Sequence, residues 1–186
     1  MVFIHDTRTA LDAAVALVNT LPGTATEGQD TFTNLTDLAA FLEVHPYTGR
    51  IRRDRSELEG VRAIRPRLRE LWQVDREGAV PLVNAMLRDG EALPRLEIHD
   101  GYDWHIHATS DDADLGTRIL VESAMALVDV IRSDEYARMR VCAADDCDAV
   151  YVDYSRNRSK RYCDTGNCGN RMNVNAYRAR KASETR

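Results

Sequence analysis

Four cysteines, all inside residues 142–171 of a 186-residue chain, constrain this sequence more than anything else in it. They form two pairs of identical spacing, Cys142-x4-Cys147 and Cys163-x4-Cys168, separated by fifteen residues. Each pair can wrap a tight knuckle around a metal ion, and the arm between them is long enough to bring the chain back. Soft thiolates select zinc, and four protein ligands close a tetrahedral site so that no position remains for a substrate. Two disulfides are the competing reading. They sit poorly with a chain whose N-terminus has no secretory signal and which has no cysteine elsewhere. The expectation is one structural zinc ion on Cys142, Cys147, Cys163 and Cys168.

Between the pairs runs Ser155-Arg156-Asn157-Arg158-Ser159-Lys160-Arg161-Tyr162, with four positive charges in eight residues. Zinc with four thiolates carries a formal charge of about −2, so part of this charge neutralises the site. The rest, interleaved with Tyr151, Tyr154 and Tyr162, is available to phosphates. Gly169 permits a tight turn and Asn170 is a good N-cap, so residues 171–181 read as a helix. Arg171, Asn175, Arg178 and Ala182 fall on one face of it, while Met172, Val174 and Tyr177 are expected to turn back toward the zinc knuckle. Arg and Asn suit the reading of bases in a groove. A solvated terminal helix has much the same composition, and these residues leave both readings open.

The run CDTGNCGNR over residues 163–171, preceded by DYSRNRSKRY over 153–162, resembles the CGNR zinc-finger family. Val18-Asn19-Thr20-Leu21 and Val83-Asn84 are similar to features of the helical ABATE region that precedes that finger. The resemblance implies a bacterial, stress-related transcription regulator that binds DNA through the zinc module. One departure is Met172-Asn173-Val174-Asn175, where many relatives carry a Lys/Arg-rich run.

The net charge of −5 hides an asymmetry. From Tyr154 onward there are nine Lys/Arg against two Asp/Glu, a balance of +7 that leaves −12 on the rest of the chain. A basic tail on an acidic body suits contact with a polyanion, and equally suits docking on the chain's own body or on a twin subunit. No stretch approaches the roughly 20 apolar residues of a membrane span, and reduced thiols point to the cytoplasm.

Helical periodicity predicts helices over 6–21, 34–45, 53–74, 76–88 and 112–133, the last as the central core helix. A capping box at Ser56-x-x-Glu59 is expected to start the third, and Pro66 to kink or split it, with its arginines on a solvated face. Asn84 is placed on or near a buried side. Residues 24–33 read as a polar loop. Over 93–109 the period changes to two around Asp100-Gly101, a hairpin in which Trp104 and Ile106 are expected to be buried and His105 and His107 exposed. With His99 the two histidines suggest a metal, but no further ligand is evident. The hairpin is also readable as a lid or a dimer edge.

There is no phosphate-cradling glycine loop, nucleophile elbow or His-Glu-x-x-His, and a closed zinc site activates no water, so an enzyme is not expected. The fold expected is mainly α: a helical domain over 1–140 with one β-hairpin, then a small treble-clef-like four-cysteine zinc module over 141–186 ending in a helix. The function expected is transcription regulation. DNA would be held by Arg156, Arg158, Lys160, Arg161, Arg171, Asn175 and Arg178, while the body binds an unknown small molecule or forms a homodimer. A zinc-stabilised protein-interaction module is the alternative, and a thiol redox sensor a third reading.

Overall fold

The computed structural model describes residues 3–23, 28–98 and 104–184. In chain order the elements are α1 (His5–Val18), α2 (Leu35–Val44), α3 (Arg55–Glu70), α4 (Arg76–Asp89), β1 (Arg95–Glu97), β2 (His105–His107), α5 (Leu115–Arg132), a 3-10 turn at Tyr136–Arg138, β3 (Met139–Val141), β4 (Val150–Val152) and α6 (Cys168–Glu184). The chain is mainly α, as its periodicity predicts. Residues 24–27, His99 and the Asp100-Gly101 turn lie outside the described residues.

Helix α5 is the core around which α1, α3 and α4 pack. Its Leu115, Ile119, Val121, Ala124, Leu127 and Val130 are all but fully buried. The crossing with α3 is close enough to exclude side chains. A Cβ at Gly116 would stand 2.7 Å from the Gly60 carbonyl oxygen, so glycine here permits backbone to meet backbone.

Several boundaries move for local reasons. Helix α1 stops at Val18, before Pro22-Gly23. Helix α3 is capped by Asp54, whose carboxylate accepts from the Glu57 N–H, while Glu57 reaches back to the N–H groups of Arg52 and Arg53. The cap therefore lies two residues before the expected Ser56, and Glu57 serves the N–H groups ahead of the cap instead of completing a box with it. Pro66 neither splits nor ends the helix. A proline leaves the carbonyl four residues before it without a backbone donor, and Arg65 Nε donates to that Arg62 oxygen at 3.4 Å. The arginines of α3 are not a uniformly solvated face. Arg65 is 3% exposed and donates to both carboxylate oxygens of Asp30, at 2.8 and 2.7 Å. Asn84 is exposed.

The hairpin forms with the register Leu96↔Ile106 and Glu97↔His105, but its faces are reversed. Leu96, Trp104 and Ile106 are 64, 64 and 48% exposed, while His105 and His107 are half-buried. On the polar face His105 lies near Glu122 of α5, while Arg95 stays exposed and donates to the Thr109 carbonyl at 2.6 Å. Alternation defines two faces of a ribbon but not which of them the body attracts.

Candidate metal centre

Strands β3 and β4 pair antiparallel, Val141 opposite Val150, and the first cysteine pair sits on the connection between them. The Cys142 N–H donates to the Ala149 carbonyl at 2.8 Å and the Cys147 N–H to Ala144 at 3.1 Å, which closes the knuckle. The second knuckle runs into α6, whose first residue is Cys168. A β-hairpin knuckle followed by a knuckle opening a helix is the treble-clef-like arrangement expected. Asn170, read as the N-cap, lies instead inside α6.

All four cysteines are free and buried, and their sulfurs lie within 4.8 Å of one another. Cys163 Sγ stands 3.7 Å from both Cys147 Sγ and Cys168 Sγ. A tetrahedral ion with metal–sulfur bonds of about 2.3 Å places its ligands about 3.8 Å apart, so the donor set fits such an ion. A disulfide needs sulfurs at about 2 Å. Burial pushes the Cys142 thiol up and Cys147 to about 12. Burial also raises Cys163, but N–H donors from Gly166 and Thr165 and the neighbouring thiols outweigh it and leave the group below its usual value. A bound divalent cation reverses the cost of ionising such a cluster, because the metal takes up the thiolate charge.

The six cations and one amide singled out in the sequence divide into three sets. Arg171 faces the metal centre: its guanidinium donates to Cys168 Sγ at 3.2 Å and spans both carboxylate oxygens of Asp146. Those contacts hold Arg171 above its usual range. The signature arginine thus neutralises the thiolates and ties the two knuckles together. Arg158 pairs with Glu135 at 2.9 Å, Lys160 pairs with Asp164, and Arg161 lies over the Tyr162 ring. Arg156, Asn175 and Arg178 are exposed, and their side chains form no hydrogen bond or ion pair among the described residues. From Asn173 onward the described side chains of α6 are exposed. Met172 packs on the cysteine cluster, but Val174 and Tyr177 are 38 and 60% exposed and do not turn back. The side chain of Ala182 lies outside the described residues.

Sequence reading missed the residues that fasten this module. Asn19, at the end of α1, donates through Nδ2 to the Val150 carbonyl at 2.9 Å and accepts the Val150 N–H at 2.8 Å. Trp72 Nε1 donates to the Tyr151 carbonyl at 3.2 Å and Arg69 to that of Asp148 at 2.7 Å. Val150 and Val152 belong to the helical core, so β4 serves both parts. Asp153, fully buried, accepts the N–H groups of Ser155 and Lys160 and folds the basic arm. Its Asp-x-Ser spacing is an Asx-turn signal that local reading could have found. The other partners are remote in sequence and leave no local signal.

Residues 138–181 match the family model of the CGNR zinc finger. Residues 11–134 match that of ABATE, described as "putative stress-induced transcription regulator". No curated protein matches the chain. No helix among the described residues is long and apolar enough to cross a membrane.

Proposed function

This chain belongs to the ABATE family and ends in a CGNR zinc finger, and from that premise we propose that it is a transcription regulator whose zinc module binds DNA. One zinc ion, held by Cys142, Cys147, Cys163 and Cys168, fixes the module and does no chemistry of its own. The function is binding rather than catalysis, and the helical body dimerises or senses a small molecule.

The observation that carries this reading is the basic arm and α6 projecting from an otherwise acidic chain, with Arg156, Asn175 and Arg178 exposed and uncommitted among the described residues. Arg158 and Arg161, both exposed, and the half-buried Lys160 add positive charge along the same arm, Arg158 and Lys160 leaving Glu135 and Asp164 to meet a phosphate. Arg171 supports the module from within. Contacts of this kind are weighted toward the phosphate backbone, which fixes orientation and affinity more than sequence.

The test is fluorescence anisotropy of the zinc-loaded chain with mixed-sequence duplex DNA across a salt series. Binding should weaken linearly in log salt, and Arg156→Ala with Arg178→Ala should reduce the slope by about 2, close to one for each phosphate no longer neutralised. Absence of binding at low salt, with the metal in place, would refute the reading. In that case the exposed Val174 and Tyr177 favour a protein partner for α6, whose capture would be far less sensitive to salt.

A further inference from the structure

Three of the four sulfurs accept backbone N–H groups. Cys142 Sγ takes those of Ala144 and of Cys163, the latter at 3.4 Å, Cys147 Sγ that of Ala149, and Cys163 Sγ those of Thr165 and Gly166. Apart from Cys163, each donor lies two or three residues past the cysteine it serves, where a tight knuckle turns its amides inward. Cys168 is placed differently, because it opens α6. The amide three residues on, that of Arg171, is taken by the helix and donates to the Asn167 carbonyl at 3.1 Å.

The side chain of the same residue supplies the donor instead. Residues three apart share a helix face, so Cys-Gly-Asn-Arg carries the guanidinium over the sulfur, with Nη2 at 3.2 Å from it. Nη2 also donates to Asp146 Oδ1 at 3.0 Å and Nη1 to Oδ2, so one planar fork spans the ligand of one knuckle and the carboxylate of the other. Gly166 closes in from a second direction, where a Cβ would stand 3.3 Å from Cys168 Sγ. Cys168 is fully buried, yet the side chains of Arg171 and Asp146 are 43 and 62% exposed. On its Arg171 side the sulfur is therefore separated from water by one ion pair.

We propose that Arg171 is the positioning residue that keeps Cys168 on the metal, and that Cys168 is the ligand at which the centre opens once this fork lets go. A thiolate that accepts an N–H is a weaker nucleophile and a better-anchored ligand. Backbone donors in the knuckles are lost only when the knuckle unfolds, whereas an ion pair in contact with water opens readily. Lysine is no substitute, since a point charge on a flexible stem cannot span sulfur and carboxylate together. The inference rests on the four-cysteine metal reading and is independent of DNA binding.

The experiment challenges the full-length, zinc-loaded chain with excess chelator and follows metal release with a chromogenic indicator. In parallel, limiting iodoacetamide and peptide mapping identify the first cysteine to be alkylated, its sulfur bonding to carbon as iodide leaves. Arg171→Ala should hold its metal about 10–100-fold less tightly and release it faster, with Cys168 alkylated ahead of the other three. Loading with cobalt(II) supplies a signature: a thiolate that loses an N–H donor gives up charge more easily, so the sulfur-to-cobalt band should move to longer wavelength. Mere loosening of the module would weaken that band in place and expose all four cysteines alike. Arg171→Lys should fall between the alanine variant and the wild type. If Arg171→Ala does not fold, the lysine variant decides, and wild-type release in it would overturn the inference. Unchanged release from Arg171→Ala, or first alkylation at another cysteine, would overturn it as well. A wild-type chain that takes up no metal would overturn the metal reading itself, whereas a fully loaded wild type with unaltered variants would overturn this inference alone.

Discussion

Replacing Asn19 by alanine should loosen the zinc module from the body. In β4 the Val150 N–H and carbonyl point away from β3, and the Asn19 amide satisfies both, at 2.8 and 2.9 Å. Val150 is 0% exposed, so water cannot readily replace the missing partner. A buried donor or acceptor left unpaired costs about 1–3 kcal/mol, so the two together put Asn19→Ala at roughly 2–6 kcal/mol. The backbone should not contribute, because Asn19 has φ −72° and ψ −5°, a conformation open to alanine. Urea unfolding gives the total, and hydrogen exchange at the Val150 amide locates it. Protection there should fall by the same free energy, while amides in the middle of α5 report only the global change. A loss below about 0.5 kcal/mol, the usual range of a neutral surface substitution, with Val150 protection unchanged would refute this reasoning. It would mean that core packing of Val150 and Val152, rather than the amide clamp, holds the module in place.

Two further predictions concern the metal and the body. Cys163→Ser removes a ligand that stands 3.7 Å from two others. The metal should be lost and the helical signal of α6 with it, because binding energy in such modules is folding energy. Since β4 is shared, the body should also lose stability. Native mass spectrometry and circular dichroism check this, and a variant that keeps a full equivalent of metal and its helicity would contradict it. Glu122 lies near Arg118, His105 and Asp6. Burial outweighs the influence of Arg118 and His105 and pushes its carboxyl to about 7, from an ordinary 4.5. Between those values the folded protein holds a proton that the unfolded chain releases. This contribution to stability is therefore present in full below pH 4.5 and is lost as pH rises through 7, to a maximum of about 3 kcal/mol. Glu122→Gln should match the wild type at the acid end and exceed it above pH 7, as read from urea midpoints across the range. Equal pH slopes for the two proteins would count against it.

The metal centre was legible because its signal is local. Cys-x4-Cys fixes each knuckle by itself, and the length of the arm limits how the pairs can meet. The helices were legible for a similar reason, since the period of Leu, Val and Ile reports which side of each segment must leave water. Their ends were less so. The cap at Asp54 and the continuity of α3 through Pro66 depend on single side chains, Glu57 and Arg65, whose choice of partner is not written in the pattern.

What the sequence by itself determined is the set of elements and the four-sulfur site, because both arise from interactions between residues close along the chain or repeated at a fixed interval. Tertiary structure alone decided how they meet. It set Arg171 against the thiolates, Asn19 on β4, Arg65 in a buried pair with Asp30, and the apolar face of the hairpin toward water. Each of these depends on which group a polar or apolar surface finds opposite it once the helices have packed. Desolvation and pairing are judged at that point between residues as much as 131 positions apart, as Asn19 and Val150 are.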